Sequence, residues 1–427
     1  MALNTDISLR NKVIYEIYIR NHSEQGRFSD IIDDLDRIKD LGVDIIWFMP
    51  IHSIGVVNKK GSLGCPYSIR DYDSINENYG SLEDFENLIR EIHKRNLLCM
   101  IDVVYNHTSY DSKLYEKYSN DFHYKDGKVS SKIEDWEDVI DIEYGNEKLE
   151  EELIDSLKKW VRLGVDGFRC DVASMVPINF WKKARETLSD LNSNIIWLAE
   201  SVEPHFVKEL RDNGYDAYSE SELYTQFDIL YDYDVHQYFK EYCRGKSSLK
   251  KYIEALRIQE GSYPKNYVKL KFLENHDNPR ASKLIENSEI LDMWTAFMYM
   301  QKGSVLIYAG QEMHNVNSPS LFEKDVIDKK NRDVNYEKLL RTLYKIKKDI
   351  PVNAIFEINL IDELNLVKIN WTDKENKWIC ILNVELNTGY IKVDLDKGLY
   401  TNLIDNKKIL VENSKIKLSN NPIIIKI

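Results

Sequence analysis

The feature that most constrains this chain is an alternation. Short apolar runs rich in β-branched and aromatic residues trade places with longer amphipathic stretches through the first four-fifths of the sequence. Residues 13–20 (VIYEIYIR) read as a strand, and 30–41 follow with Ile31, Leu35 and Ile38 at helical spacing. Strand 44–50, helix 81–95 and strand 97–104 come next, the helix opening on Ser81 with Glu83 and Asp84 in its first turn. The pattern continues with helix 147–162, strand 165–171, helix 179–191 and strand 195–200. A sixth strand is read at 212–219, a seventh at 267–275 and an eighth at 304–310. Strands that alternate with helices form a parallel sheet with right-handed crossovers. Eight of them predict a closed (β/α)8 TIM barrel of the α/β class.

Two segments break the rhythm. Residues 108–145 are polar and aromatic, carry no clear helical period, and read as a short inserted subdomain after strand 3. From residue 350 onward the helical period gives way to strand-like runs at 366–371, 378–384, 390–393 and 422–427. These predict a C-terminal antiparallel β-sandwich over 350–427. The expected division is therefore a catalytic barrel over 1–107 and 146–349, the insert at 108–145, and the closing β domain.

Composition narrows the partners. A net charge of −13 over 427 residues repels phosphate backbones and anionic lipid, so neither nucleic acid nor membrane is expected. A neutral sugar is indifferent to that charge. The five cysteines are scattered and form no C-x-x-C pair, which fits reduced thiols in a cytoplasm. Residues 1–11 hold no basic run followed by an apolar stretch, so no signal peptide is expected.

In such barrels the working residues lie where strands end and βα loops begin. Strand three ends in Asp102, Asn106 and His107, and strand four in Arg169 and Asp171. Strand five ends in Glu200, and strand seven in Asn275, His276 and Asp277. A carboxylate at a strand end is often only the N-cap of the next helix. Several gathered on one rim are costly to bury unless function needs them.

The runs DVVYNH (102–107), GFRCDVAS (167–174), WLAES (197–201) and FLENHD (272–277) resemble the four ordered signature regions of the α-amylase superfamily, glycoside hydrolase family thirteen. CPYSIRDY (65–72) and LIYAGQE (306–312) resemble its segments after strand two and at strand eight. The resemblance implies Asp171 as nucleophile, Glu200 as general acid/base and Asp277 as transition-state stabiliser. It assigns His107 and His276 to sugar hydroxyls, Tyr67 to a stacking platform, and Asp102 to the organisation of the rim with a share in substrate contact. Arg169, two residues before Asp171, shares its strand face, would hold it ionised, and is placed with Asp102 among the substrate-binding residues. Asn106 matches a calcium-ligand position of the family. A structural calcium is thus an expectation, although no cofactor is needed for the chemistry.

The implied activity is retaining hydrolysis of α-1,4-linked glucans or malto-oligosaccharides by double displacement. A transglycosylase with the same site is the alternative, and a non-catalytic carbohydrate-binding relative or a metal-dependent barrel enzyme is more remote. Two departures bear on specificity. Many relatives carry a Lys-His pair shortly after the nucleophile, where this chain has Ala173, Ser174 and Met175. The run VIDIE (139–143) lacks a proline that helps diagnose subgroup.

Overall fold

The computed structural model describes residues 5–361 and 364–427. Eight parallel strands close a barrel: β1 (Val13–Ile17), β2 (Ile45–Phe48), β3 (Leu98–Val103), β4 (Gly167–Cys170), β5 (Ile196–Ala199), β6 (Ile229–Tyr231), β7 (Val268–Lys271) and β8 (Ser304–Tyr308). Every strand is buried along its whole length except at the first residue of β3, as expected of a parallel sheet covered on both faces. Alternation sorts the side chains. Ile14, Ile45, Trp47, Met100, Leu198, Ile229, Tyr231, Leu270 and Leu306 share one cluster inside the barrel. Tyr15, Ile46, Ile101, Phe168, Trp197, Leu230 and Ile307 belong to the larger core beneath the helices. Gly167 leaves room in the interior, since a Cβ there would stand 2.9 Å from the Ile196 carbonyl and 3.0 Å from the Met100 methyl.

The helix layer includes α1 (Leu82–Lys94), α2 (Glu147–Arg162), α3 (Ile178–Ser189), α4 (Pro204–Asp212), α5 (Tyr233–Cys243), α6 (Leu249–Ser262), α7 (Ser288–Met300) and α8 (Val334–Asp349). Ser81 caps α1 by accepting from the Asp84 N–H, while Asp84 accepts from the Ser81 N–H.

Three sequence expectations are corrected. The sixth strand is not at 212–219 but at Ile229–Tyr231. It is only three residues long, too short for a readable alternation, and is bracketed by the buried acids Asp228 and Asp232. Asp228 pairs with Arg185 at 2.7 Å and Asp232 with Lys271 at 2.8 Å, so both acids are structural. The insert does contain a helix, Lys113–Tyr118, whose N-terminus Ser112 caps by accepting from the Tyr115 N–H. Six residues hold less than two turns, below what periodicity resolves. The helix read at 30–41 is two pieces, Phe28–Ile32 and Leu35–Asp40, parted at Asp33 and Asp34.

The closing domain is antiparallel. Strands β9 (Ile355–Ile361), β10 (Leu366–Thr372), β11 (Lys377–Leu382) and β16 (Ile423–Lys426) form a sheet in the order 9-10-11-16. Two ladders complete it: β12 (Tyr390–Lys392) with β15 (Lys415–Lys417), and β13 (Gly398–Thr401) with β14 (Lys408–Val411). Leu366, Ile379, Ile381, Ile391, Val411, Ile416 and Ile425 fill the space within the domain. The other face of the sheet joins the barrel core through Ile369, Trp371, Trp378 and Cys380. Trp371 donates its indole N–H to the Met300 carbonyl at the end of α7, 2.9 Å away. Among the described residues no helix is long and apolar enough to cross a membrane.

Candidate active site

A cleft of about 470 Å3 opens at the C-terminal rim of the barrel, lined by residues that follow β2, β3, β4, β5, β6, β7 and β8. That is a normal volume for a small-molecule site. Asp171, Glu200, Asp277, Tyr67, His107 and His276 all face it. The sequence spreads these six over more than two hundred residues, and closure of the barrel brings them together.

Beneath them lies Arg169, fully buried between the rings of Trp47, Tyr67 and Tyr231 at 5.3–5.7 Å. It stands in register with Asp102 of the neighbouring strand, and both point into the barrel. One guanidinium nitrogen donates to Asp102 at 3.0 Å and to Asp171 at 2.7 Å. The other lies 3.0 Å from the Glu200 carboxyl but off the hydrogen-bonding direction. The Nε–H donates to the Tyr231 hydroxyl at 3.2 Å. Neither Arg169 nor Asp102 reaches the cleft, since both are 0% exposed. This corrects the expectation that they touch substrate: they hold the residues that face it.

Glu200 is buried, and its Oε2 accepts from the Val172 N–H at 2.8 Å. Burial pushes its pKa up to about 8, with Asp171 and Asp277 adding to the rise and Arg169 opposing it. The rise favours the protonated form of this carboxyl. Val172 takes a left-handed conformation at φ 34°, ψ 47°, costly for a β-branched residue. The strain falls between the two carboxylates, where it aims an N–H at Glu200.

Asp277 is the most open of the trio, with 41% of its side chain exposed, and lies 3.1 Å from His276 Nε2. Burial alone would raise its pKa, but the charged His276 outweighs that and holds it below the usual carboxylate range. His276 in turn is held well above the ordinary histidine value: burial works against its charge, and Asp277 and Glu16 override the penalty. Its Nδ1–H donates to Glu16 at 2.5 Å and its Nε2–H to the Tyr67 hydroxyl at 2.8 Å. Tyr67 passes the chain on, donating to Asp102 at 3.1 Å. The rings of Tyr67 and His276 stack at 5.5 Å. A continuous polar relay therefore runs from Glu16 through His276, Tyr67 and Asp102 to Arg169 and Asp171. Burial and the neighbouring Asp171 lift Asp102 to about 7, and Arg169 opposes them.

His107 borders the cleft with its Nε2 3.9 Å from Asp171, beside the ring of Trp136 from the insert. Asn106 is buried behind it, its amide nitrogen 3.2 Å from His107 Nδ1. Hard cations take roughly six to eight oxygen ligands. Among the described residues no three His, Cys, Asp or Glu side chains gather in such a set.

Sequence reading did not single out Glu16, Tyr231, Tyr233, Trp136, Glu203, Phe206, Lys240 or Phe322. For Glu16 the signal was present, as a lone acid inside the apolar run VIYEIYIR. For the cleft-lining residues 203, 206 and 240 nothing local marks them, because they sit on ordinary amphipathic helices or loops.

The chain matches the family model for the alpha amylase catalytic domain over residues 18–136 and 132–351. It belongs to the α-amylase family of glycoside hydrolases. The closing domain matches the bacterial alpha amylase C-terminal domain over 357–425. An alpha-amylase from Lactobacillus plantarum is similar along the whole length, with 39% identity, a TM-score of 0.96, and coverage of 99% of this chain and 100% of that one. A noncanonic maltogenic alpha-amylase from Thermotoga neapolitana follows at 32% identity and TM-score 0.88, covering 98% and 99%. The intracellular maltogenic amylase of Bacillus subtilis is 28% identical over 364 residues, covering 80% of this chain and 58% of its own length. Membership in this family makes the cleft that of an α-amylase-like glycoside hydrolase.

Proposed function

We propose that the protein is a retaining hydrolase of α-1,4-linked glucans or malto-oligosaccharides working by double displacement. The observation that carries this reading is the single guanidinium of Arg169, which touches both Asp171 and Glu200. The Arg169 guanidinium pairs with Asp171, the carboxylate placed to attack the anomeric carbon. Glu200, buried and protonated, gives its proton to the departing oxygen and later takes one from the incoming water. Two carboxyls drawn to one guanidinium suit the separation of about 5–5.5 Å at which a carboxylate attacks directly. Inverting enzymes set theirs about 6.5–9.5 Å apart to admit a water. Asp277, kept ionised by charged His276, stabilises the positive charge that develops on the ring. Tyr67 offers the sugar ring an aromatic face. Proton NMR during maltotetraose hydrolysis tests the stereochemistry: the α-anomer should appear first, and β-anomer as the initial product would overturn retention.

A second reading, transfer of the glycosyl group to another sugar, is favoured by the apolar wall of Val202 and Phe206 beside Glu200. Such a wall can bind an acceptor ring in place of water. Oligosaccharides longer than the supplied maltotetraose would support it. The five free thiols fit a reducing, cytoplasmic compartment.

A further inference from the structure

The cleft has a side that the catalytic trio does not explain. Glu200, as proton donor, must stand at the leaving oxygen, so the chain just beyond it faces the departing sugars. Val202, Glu203 and Phe206 line that side, with Tyr233 and Lys240 from α5 and Asn278 from the loop after Asp277. The positions after the nucleophile contribute no cation there. Ala173 and Ser174 are buried, and the Ser174 hydroxyl is turned inward to accept from the Val202 N–H at 3.2 Å.

Lys240 is the lysine on this wall. Its ammonium donates to Asn278 Oδ1 at 2.9 Å. Asn278 donates to Asn275 Oδ1 at 2.7 Å, and Asn275 donates to the Tyr233 hydroxyl at 2.9 Å. Tyr233 opens the same helix that carries Lys240. The ammonium is thus anchored by a loop of polar contacts that returns to its own helix. An ammonium has three donors. Among the described residues Lys240 makes one hydrogen bond, so two donors of this cleft-lining ammonium have no protein acceptor there.

We propose that Lys240, held by Asn278, grips hydroxyls of the leaving-group sugar and sets the protein's preference for oligosaccharide over small leaving groups. This rests on the assignment of Glu200 as the acid. The cation is delivered from α5 rather than from the segment that follows the nucleophile. By microscopic reversibility the same ammonium would hold an acceptor sugar during transfer.

The test compares maltotetraose with α-maltosyl fluoride, whose fluoride occupies no sugar subsite and departs without a proton. Charge-assisted hydrogen bonds contribute roughly 1.5–3 kcal/mol, or about ten- to hundredfold. Lys240→Met should lower kcat/KM for maltotetraose by about tenfold or more relative to its effect on the fluoride, chiefly through KM, and Lys240→Arg should recover part of the loss. Equal losses on both substrates, or no loss on maltotetraose, would overturn the proposal. Glu200→Gln measured in parallel separates the two claims. If Glu200 is the acid, that variant also loses far more kcat/KM on maltotetraose than on the fluoride, since kcat/KM ends at formation of the glycosyl-enzyme. The loss then falls in the chemical step and not in KM. An equal loss would refute the acid assignment, while a Lys240→Met loss confined to maltotetraose would still support the grip.

Discussion

Replacing Arg169 by lysine tests the arrangement at its centre. The guanidinium contacts Asp102, Asp171, Glu200 and Tyr231 through three different nitrogens. A lysine keeps the positive charge but presents it as one point on a shorter, unforked stem, so it cannot serve both catalytic carboxylates. Two charge-assisted contacts are lost, at about 1.5–3 kcal/mol each. The combined loss of about 3–6 kcal/mol corresponds to roughly a 10²- to 10⁴-fold drop in kcat/KM. Because a cation remains among the buried acids, stability should fall by only about 1–3 kcal/mol, and unfolding should stay cooperative. The assay is kcat/KM on 4-nitrophenyl α-maltoside together with a denaturant melt. A variant that stays folded and keeps activity within fivefold of wild type would refute the role given to the fork.

Glu200→Gln should show a steeper dependence on leaving-group acidity than wild type across a series of aryl α-maltosides, since only poor leaving groups need the proton. The basic limb of kcat/KM should fall through pH about 8, where Glu200 loses its proton. The same shift carries a sign for stability. A carboxyl whose folded pKa is raised favours the fold below its unfolded value, and that contribution is lost as pH climbs from about 4.5 through about 8. Denaturant melts of wild type should therefore weaken over that window more than those of Glu200→Gln, and parallel curves would count against it. Glu16→Gln removes the anion on His276 Nδ1. It should bring the His276 titration down toward the ordinary range and reduce kcat about tenfold, measurable by histidine NMR and steady-state kinetics.

Much of this was legible in the sequence, for physical reasons. Parallel barrel strands are buried on both faces, so they read as continuous apolar runs, and seven of the eight were found near their observed places. The sixth was missed because Ile229–Tyr231 offers only three residues between structural acids. Asp171, Glu200 and Asp277 could be picked out because a strand end is a fixed address in this architecture. Arg169 was tied to Asp171 by the two-residue strand period, but its hold on Glu200 and Asp102 is a cross-strand fact that no local spacing encodes. Asp102 and Arg169 were expected at the substrate and lie below it, since sequence gives the strand and the facing but not the depth. Glu16 and Lys240 needed the closed barrel: their partners, His276 and Asn278, are 260 and 38 residues away.

The most direct test of the proposed chemistry is to trap the covalent intermediate. A 5-fluoro-α-glycosyl fluoride slows both steps, and its good leaving group lets the glycosyl-enzyme accumulate. Peptide mass spectrometry of the inactivated protein should find the sugar on Asp171, in the peptide that also carries Arg169. Label on Glu200 or Asp277, or turnover with no adduct at any carboxylate, would contradict the account.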